Sequence, residues 1–333
     1  MNSKRIYIVL VIVLLGVSMY SLSTGSVDIS KKDILNILIG NSSNVDESFK
    51  SILLNVRLPR VIIAILVGMM LASSGTVVQT VFQNPLADPY IIGIAASATF
   101  GAVLAFILKL PDVMYGGLAF LTSLVVSLII FKLSSSGNKS DTSTLLIIGI
   151  AISSFLGAFT SFAMYLIGED SFKIVTWMMG YLGGATWPKI IILLFPLFIS
   201  VSYFFVKRHE LDLLLSGDEE AHSLGVNVAK LKKSMLIVSS LIVGFSVAFT
   251  GMIGFVGLIV PHTLRLLIKS SSNTKLIPLA ALGGGVFLLI CDTIGRTILA
   301  PVEVPIGVVT SFFGAPFFLY LAMRSKKGRW HDT

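Results

Sequence analysis

Very few residues of this 333-residue chain could do acid–base chemistry inside its hydrophobic runs. Asp292 is the only acid that lies well within such a run, and Arg296 follows it four positions later. On a helix that spacing puts both side chains on one face. We therefore expect an ion pair between them, while a carboxylate that lines a pathway remains the alternative.

The histidines give no indication of a metal site. They fall in separate segments without ligand spacing: His209, His222, His262 and His331. We expect His262 and Arg265 to cap a short, broken helix. The single cysteine, Cys291, excludes a disulfide framework and a four-cysteine metal site. No Walker A sequence, H-E-x-x-H motif or credible nucleophile–base pair occurs, so we predict no metal, no cofactor and no catalytic residue in this chain.

Composition places these residues in a membrane protein. Hydrophobic residues make up 55% of the chain, charged residues only 13%, and the mean hydropathy is +0.92, which excludes a water-soluble globule. Because a helical span needs about 20 apolar residues, the runs predict ten spans, within Ile6–Ser23, Val61–Phe82, Ile91–Leu108, Met114–Phe131, Leu145–Ile167, Ile190–Val206, Met235–Met252, Gly254–Ile268, Ile277–Ile294 and Val304–Met323.

The runs are continuous rather than alternating, which argues against a transmembrane barrel. Pro261 interrupts the run from Gly254, so between nine and eleven spans remain open. The first run follows Lys4 and Arg5 as a secretory signal would, but its length and the lack of an A-x-A site favour a span. We predict an all-α polytopic membrane protein, one transmembrane domain over residues 1–333.

Charge distribution predicts the orientation. With both termini in the cytoplasm, sixteen of the twenty-five basic residues lie inside, as the positive-inside rule favours. Residues 24–59 then form an extracellular loop and residues 207–233 a cytoplasmic segment, both too short for an ATPase or ligand-binding domain. The expected location is the cell membrane, and the basic C-terminal tail should contact lipid headgroups rather than nucleic acid.

An internal repeat is present at a constant offset of 176 positions. Val67, Gly68, Ala72, Gly75 and Pro85 recur as Val243, Gly244, Ala248, Gly251 and Pro261. A second similarity, at an offset of 157, pairs residues 153–158 with 310–315. In the predicted topology the matched spans run in opposite directions, so the repeat predicts two inverted five-helix halves, an arrangement that transporters use for alternating access. Chance similarity among Gly and Ala is the alternative.

Several ordered motifs then resemble those of the FecCD-type permeases, the membrane subunits of type II ABC importers for ferric siderophores, haem or cobalamin. The motifs are residues 57–60 (RLPR), Gly75 and Gln79, residues 84–89 (NPLADP), Gly93, residues 213–226, residues 254–262 (GFVGLIVPH), residues 304–310 and residues 314–316. They extend from the first loop to the last span. The resemblance implies ten helices per subunit and a second permease subunit, identical or paralogous. It also implies two ATPase subunits that bind ATP and Mg, and an extracellular substrate-binding protein.

The resemblance also implies roles for individual residues. Within the cytoplasmic segment 207–233, residues 213–226 would fit a cleft of the ATPase and couple it to the spans, with contacts from Leu215, Gly217, Asp218, Glu219, Glu220, Ala221, His222, Leu224 and Gly225. A solvated loop is the alternative. Three arginines would dock the binding protein through its carboxylates, or else anchor lipid headgroups: Arg57, Arg60 and Arg296.

For the pathway, the resemblance points to hydroxyl side chains of the fifth and tenth spans: Ser153, Ser154, Thr160, Thr310 and Ser311. Each could equally bond to its own helix backbone. A cytoplasmic gate is implied at Asn84, Leu86, Thr142 and Ser143.

Three hypotheses on function follow. The first is the permease of an ABC importer, with a ferric siderophore as the expected cargo and haem or cobalamin as alternatives. The second is an ion-coupled secondary transporter, which the repeat alone would equally allow but which lacks a relay of buried carboxylates or histidines. The third, an intramembrane enzyme, lacks catalytic groups.

Overall fold

The computed structural model describes residues 3–25, 27, 29–41, 45–111, 113–136, 139–140 and 142–328. Helices account for almost all of the regular structure in these ranges. One short hairpin pairs β1 (Ser135–Ser136) antiparallel with β2 (Lys139–Ser140).

The described residues of the first half of the chain form eight α-helices. They are α1 (Ser3–Ser23), α2 (Lys31–Ile39), α3 (Glu47–Ile52), α4 (Leu58–Val81), α5 (Ile94–Ile107), α6 (Val113–Ser134), α7 (Thr142–Ile167) and α8 (Phe172–Met178). A π-helical turn over Leu53–Arg57 joins α3 to α4 without a break. The segment predicted as the loop 24–59 therefore contains two helices.

In the second half, the residues up to 328 form seven. They are α9 (Trp187–Val206), α10 (Arg208–Leu214), α11 (Asp218–Ser223), α12 (Val228–Thr250), α13 (Val256–Ile268), α14 (Asn273–Thr297) and α15 (Ile306–Gly328). Within the described ranges, seven helices are long and apolar enough to cross a bilayer: α1, α4, α6, α7, α9, α12 and α14. Three shorter apolar helices, α5, α13 and α15, complete the ten predicted spans.

The helix order repeats between the halves. Helices α4 to α7 have 24, 14, 22 and 26 residues, and α12 to α15 have 23, 13, 25 and 23. In both halves a short helix follows a long one. Since α4 is the second apolar helix in the chain and α12 the seventh, successive crossings give them opposite directions. The predicted inverted halves thus correspond to matching helix series.

Helices α4 and α14 lie at the centre and touch along their backbones. A Cβ atom at Gly68 on α4 would overlap the carbonyl oxygen of Gly284 on α14, and the reverse substitution would meet Gly68. Gly75 lies about two helical turns further along α4. It is equally close to the carbonyl of Gly257 on α13. Small residues permit this approach where lipid supplies no hydrophobic force between helices.

The turn after α4 is built by its polar residues. Pro85 and Pro89 each lack the backbone donor that a helix needs. Asn84 Oδ1 accepts a hydrogen bond from the N–H of Leu86 (2.9 Å), and Asp88 Oδ1 accepts one from the N–H of Tyr90 (2.8 Å). These side chains replace helical bonds with a tight turn over residues 82–93, as the sequence predicts.

Candidate functional site

Four charged side chains meet at the start of α4 and the end of α14, and we call them the arginine cluster: Arg60, Asp292, Arg296 and Glu303. The Asp292 carboxylate is 1% exposed and lies 2.9 Å from Arg60 Nη2 and 3.1 Å from Arg296 Nε. Arg60 Nη1 also donates to both carboxylate oxygens of Glu303, at 2.9 and 3.0 Å. The expected pair of Asp292 with Arg296 is therefore present, and Arg60 joins it.

Each arginine predicted to dock a binding protein is bound within this chain. Arg57 is buried and donates to the carbonyl of Leu22 (2.7 Å) and to that of Val27. Arg296 donates to the backbone oxygen of Ser21 (3.2 Å). The docking role of the three arginines stays a prediction. Their common position at one end of the bundle agrees with a shared task.

A cavity of about 770 Å³ opens between the turn after α4, the end of α8, the connection between α12 and α13, and α15. Its wall is mostly apolar and includes three methionines, Met178, Met179 and Met252. Polar groups come from Asp88, Tyr90 and Ser311. A large apolar cavity with a few polar groups is typical of a site for an organic molecule.

The predicted pathway residues differ in their surroundings. Ser311 lines the cavity. The hydroxyls of Ser154 and Thr310 donate to their own helix backbones, at Ile150 (2.9 Å) and Gly307 (3.2 Å). Thr160 is buried, and the hydroxyl of Ser153 faces Gly93 in the turn after α4. A pathway role for these five residues remains a prediction.

The predicted gate residues lie on two segments. Leu86 contributes to the cavity wall, and Asn84 holds the turn that carries it. Thr142 and Ser143 begin α7, and their side chains lie outside the described part of the structure. The methionines at the end of α8 were not found by sequence reasoning, because a seven-residue helix gives no long apolar run.

The segment 207–233, which we call the coupling segment, presents a ridge at the end of the bundle opposite the arginine cluster. Six of the predicted contact residues are exposed there: Leu215, Glu219, Glu220, His222, Leu224 and Gly225. Gly217 joins α10 to α11 with φ +123°, a conformation that other residues rarely adopt. Two exposed leucines, Leu215 and Leu224, lie among its charged residues.

Two other residues of the predicted contact set hold the segment in place instead. Ala221 is fully buried. Asp218 lies 2.6 Å from Lys232 Nζ on α12 and accepts a hydrogen bond from Gln83 Nε2 (3.0 Å) at the end of α4. The ridge is therefore attached to the spans and is not a free loop.

Among the described residues, no group of three or more His, Cys, Asp and Glu side chains could hold a metal ion. His262 packs its ring against Phe317, with centroids 5.9 Å apart, and the neighbouring guanidinium of Arg265 donates to Gln79 on α4. His331 lies outside the described residues.

The described residues form ten apolar helices, of which α4 to α7 match α12 to α15. With a cavity between them and a polar ridge at one end, they define a multi-pass membrane permease. The sequence matches the FecCD transport family over residues 10–324. The chain belongs to this family, the permeases of type II ABC importers.

Two relatives and one solved structure illustrate the similarity. The hemin transport system permease protein HmuU of Yersinia pestis is 38% identical over 97% of this chain and 95% of its own length. The cobalamin import system permease protein BtuC of Halobacterium salinarum is 39% identical over 83% of this chain and 74% of its own length. A metal-chelate type ABC transporter in an inward-facing conformation gives a TM-score of 0.85 at 29% identity, covering 96% of this chain and 99% of the other.

Proposed function

We propose that this chain is the permease subunit of an ATP-driven importer that carries a ferric siderophore into the cytoplasm. The match to the FecCD family over nearly the whole chain carries the proposal. The exposed ridge of the coupling segment supports it, because an ABC permease needs a rigid contact for a separate ATPase.

The proposed assembly has a second permease subunit, identical or paralogous, and two ATPase subunits that bind ATP and Mg. The coupling segment contacts the ATPases, so it faces the cytoplasm, as do both termini. The arginine cluster then faces outward, where a binding protein delivers the cargo. Arg60 is 11% exposed and is bound to Glu303, which is 40% exposed, so a docking carboxylate of the binding protein would replace Glu303 at this arginine.

The cavity favours an organic chelate as cargo. A hydrated ferric ion needs oxygen ligands, whereas the wall offers mainly methyl, methylene and aromatic groups, among them Phe255 and Phe318. A siderophore encloses the ion and presents its own organic surface to such a wall. About 770 Å³ is within the range of volumes that hold an organic ligand.

A haem or a corrinoid is the second candidate cargo. The identity of 38% with the hemin permease of Yersinia pestis over almost the full length of both chains favours haem. The identity of 39% with the cobalamin permease of Halobacterium salinarum favours a corrinoid. Both candidates share the permease function and differ only in the chelate.

Radioactive iron uptake in iron-starved cells that lack this gene tests the proposal. The cells receive ferric hydroxamates, ferric catecholates, haem and labelled cobalamin in turn, each with and without the gene restored on a plasmid. Uptake of one ferric siderophore that depends on the gene is the expected result. If only the uptake of haem or cobalamin depended on the gene, the siderophore assignment would be overturned and the permease function would stand.

A further inference from the structure

One carboxylate, Asp212 on α10, joins the coupling segment to the start of α14. Its oxygens accept hydrogen bonds from the backbone N–H and the side-chain amide of Asn273, the latter at 3.0 Å. They also accept from the hydroxyls of Ser272 (2.8 Å) and Thr274 (3.3 Å). Four donors from three successive residues thus converge on a side chain about sixty positions earlier in the chain.

These bonds supply the N-terminal cap of α14. The residue before its first turn, Ser272, makes no cap bond of its own to the helix. The first N–H groups of a helix lack partners within it, and the helix dipole places partial positive charge there. The Asp212 carboxylate accepts from one of these N–H groups, that of Asn273, and places negative charge at the start of the helix. The helix α10 and the first turn of α14 are therefore linked by charge as well as by hydrogen bonds.

The same junction includes the end of α4. The hydroxyl of Thr80 on α4 donates to Asn273 Oδ1 (2.9 Å), and Asn273 is fully buried. Gln83, just after α4, donates to the carbonyl of Leu214 on α10 (2.9 Å). The coupling segment therefore holds the ends of α4 and α14 together.

Further along, α4 and α14 are fixed to each other twice more. Their backbones touch at Gly68 and Gly284. At the far end the ion pair of Arg60 with Asp292 links them again. Sliding one helix past the other would break the ion pair and force the glycine contacts apart, so the two helices must move as one body. We call them the α4–α14 pair.

We propose that Asp212 is the positioning residue that passes movement of the coupling segment to the α4–α14 pair, and so to the arginine cluster. The inference rests on the proposed function, because an ATPase must supply that movement. Gln83 also attaches the segment to the end of α4, and Asp218 attaches it to α12. Loss of Asp212 should therefore leave the segment in place and weaken its hold on the α4–α14 pair.

The test uses the whole complex, with ATPase subunits and binding protein, in liposomes. Ile298 at the far end of α14 is 65% exposed and is replaced by cysteine, with the buried Cys291 changed to alanine. The rate of alkylation by a membrane-impermeant maleimide is measured without nucleotide and after trapping with ATP and vanadate. We expect trapping to change the rate about fivefold or more in the otherwise unchanged protein.

In Asp212→Ala that response should fall at least twofold while the ATPases still copurify and hydrolyse ATP. Asp212→Asn, which keeps one acceptor oxygen, should recover part of it. Asp46→Ala, which removes a cap from α3 away from this junction, is the matched control and should respond normally. A full response in Asp212→Ala, or no response to trapping in the unchanged protein, would overturn the inference. Neither result depends on cargo, so failure of the siderophore assignment is recognised separately, by uptake.

Discussion

At the scale of single residues, Asp292 is a buried carboxylate that pairs with two arginines. It is 1% exposed and compensates two arginines that are 11% and 8% exposed. Asp292→Asn would leave buried positive charge uncompensated, and breaking a buried ion pair typically costs about 3–5 kcal/mol. We expect a large fall in the thermal unfolding midpoint of the purified permease in detergent.

The matched control for that substitution is Glu47→Gln. It removes an exposed pair with Lys50, whose atoms lie 3.4 Å apart, and exposed pairs contribute about 1 kcal/mol or less. If Asp292→Asn destabilised the protein no more than Glu47→Gln, the buried cluster would not be an important stabilising feature.

Asp88, in the turn after α4, predicts a pH dependence of stability. Burial raises the pKa of its carboxyl from 3.8 to about 6. Between these values the folded protein binds more protons than the unfolded one, so this group's contribution to stability is present at low pH and is lost as pH rises through about 6. Asp88→Asn keeps the cap on Tyr90 and should flatten the dependence of the unfolding midpoint between pH 4 and 7. If the unfolding midpoint of Asp88→Asn depended on pH as in the unchanged protein, the raised pKa of Asp88 would be contradicted.

Sequence reasoning found only part of this residue chemistry. The pair of Asp292 with Arg296 follows from helical spacing, but Arg60 lies 232 positions before Asp292, and nothing in one sequence connects them. The hydrogen bonds of Asp212 to the start of α14 were missed for the same reason. Such partners depend on which helices pack together, and hydrophobic runs do not specify packing.

At the scale of helices, the contact between α4 and α14 depends on glycine. Gly68→Ala would place a methyl group into the backbone of α14, and overpacking of this kind typically costs about 1–3 kcal/mol. Gly157→Ala on α7 is the matched control, because no atom lies within 4 Å of its Cβ position and alanine favours the helix. Denaturation curves of both variants should separate them, and equal stability would show that the close contact is unimportant.

The exposed ridge of the coupling segment gives a prediction about assembly. Leu224 is 63% exposed among charged residues, so Leu224→Asp should reduce copurification of the ATPase subunits with a tagged permease. Leu38→Asp on α2, at a leucine that is 44% exposed, is the control and should leave copurification unchanged. Equal ATPase recovery from both variants would argue against this ridge as the contact.

The helices themselves were largely predictable. All ten apolar runs coincide with helices, because continuous hydrophobicity of that length is a strong signal. The short helices α2, α3 and α8 were not predicted, since they lie in polar segments or extend a longer run. Their positions depend on caps such as Ser30, which accepts a hydrogen bond from the N–H of Asp33.

For the whole molecule, two features lie at opposite ends of the α4–α14 pair, and a third lies beside it. The coupling segment holds one end of the α4–α14 pair, the arginine cluster lies at the other end, and the cavity opens beside this axis. An ATPase that moves the first could thereby change the other two. This arrangement favours an ATP-driven importer over an ion-coupled transporter.

The energy source of uptake tests that account most directly. Membrane vesicles that contain the complete complex are given the panel of ferric siderophores, haem and cobalamin, either with ATP and ionophores that collapse ion gradients, or with imposed proton and sodium gradients and no ATP. The account predicts accumulation of a chelate only where ATP is present, with loss of accumulation in Leu224→Asp. Accumulation driven by a gradient without ATP would contradict it.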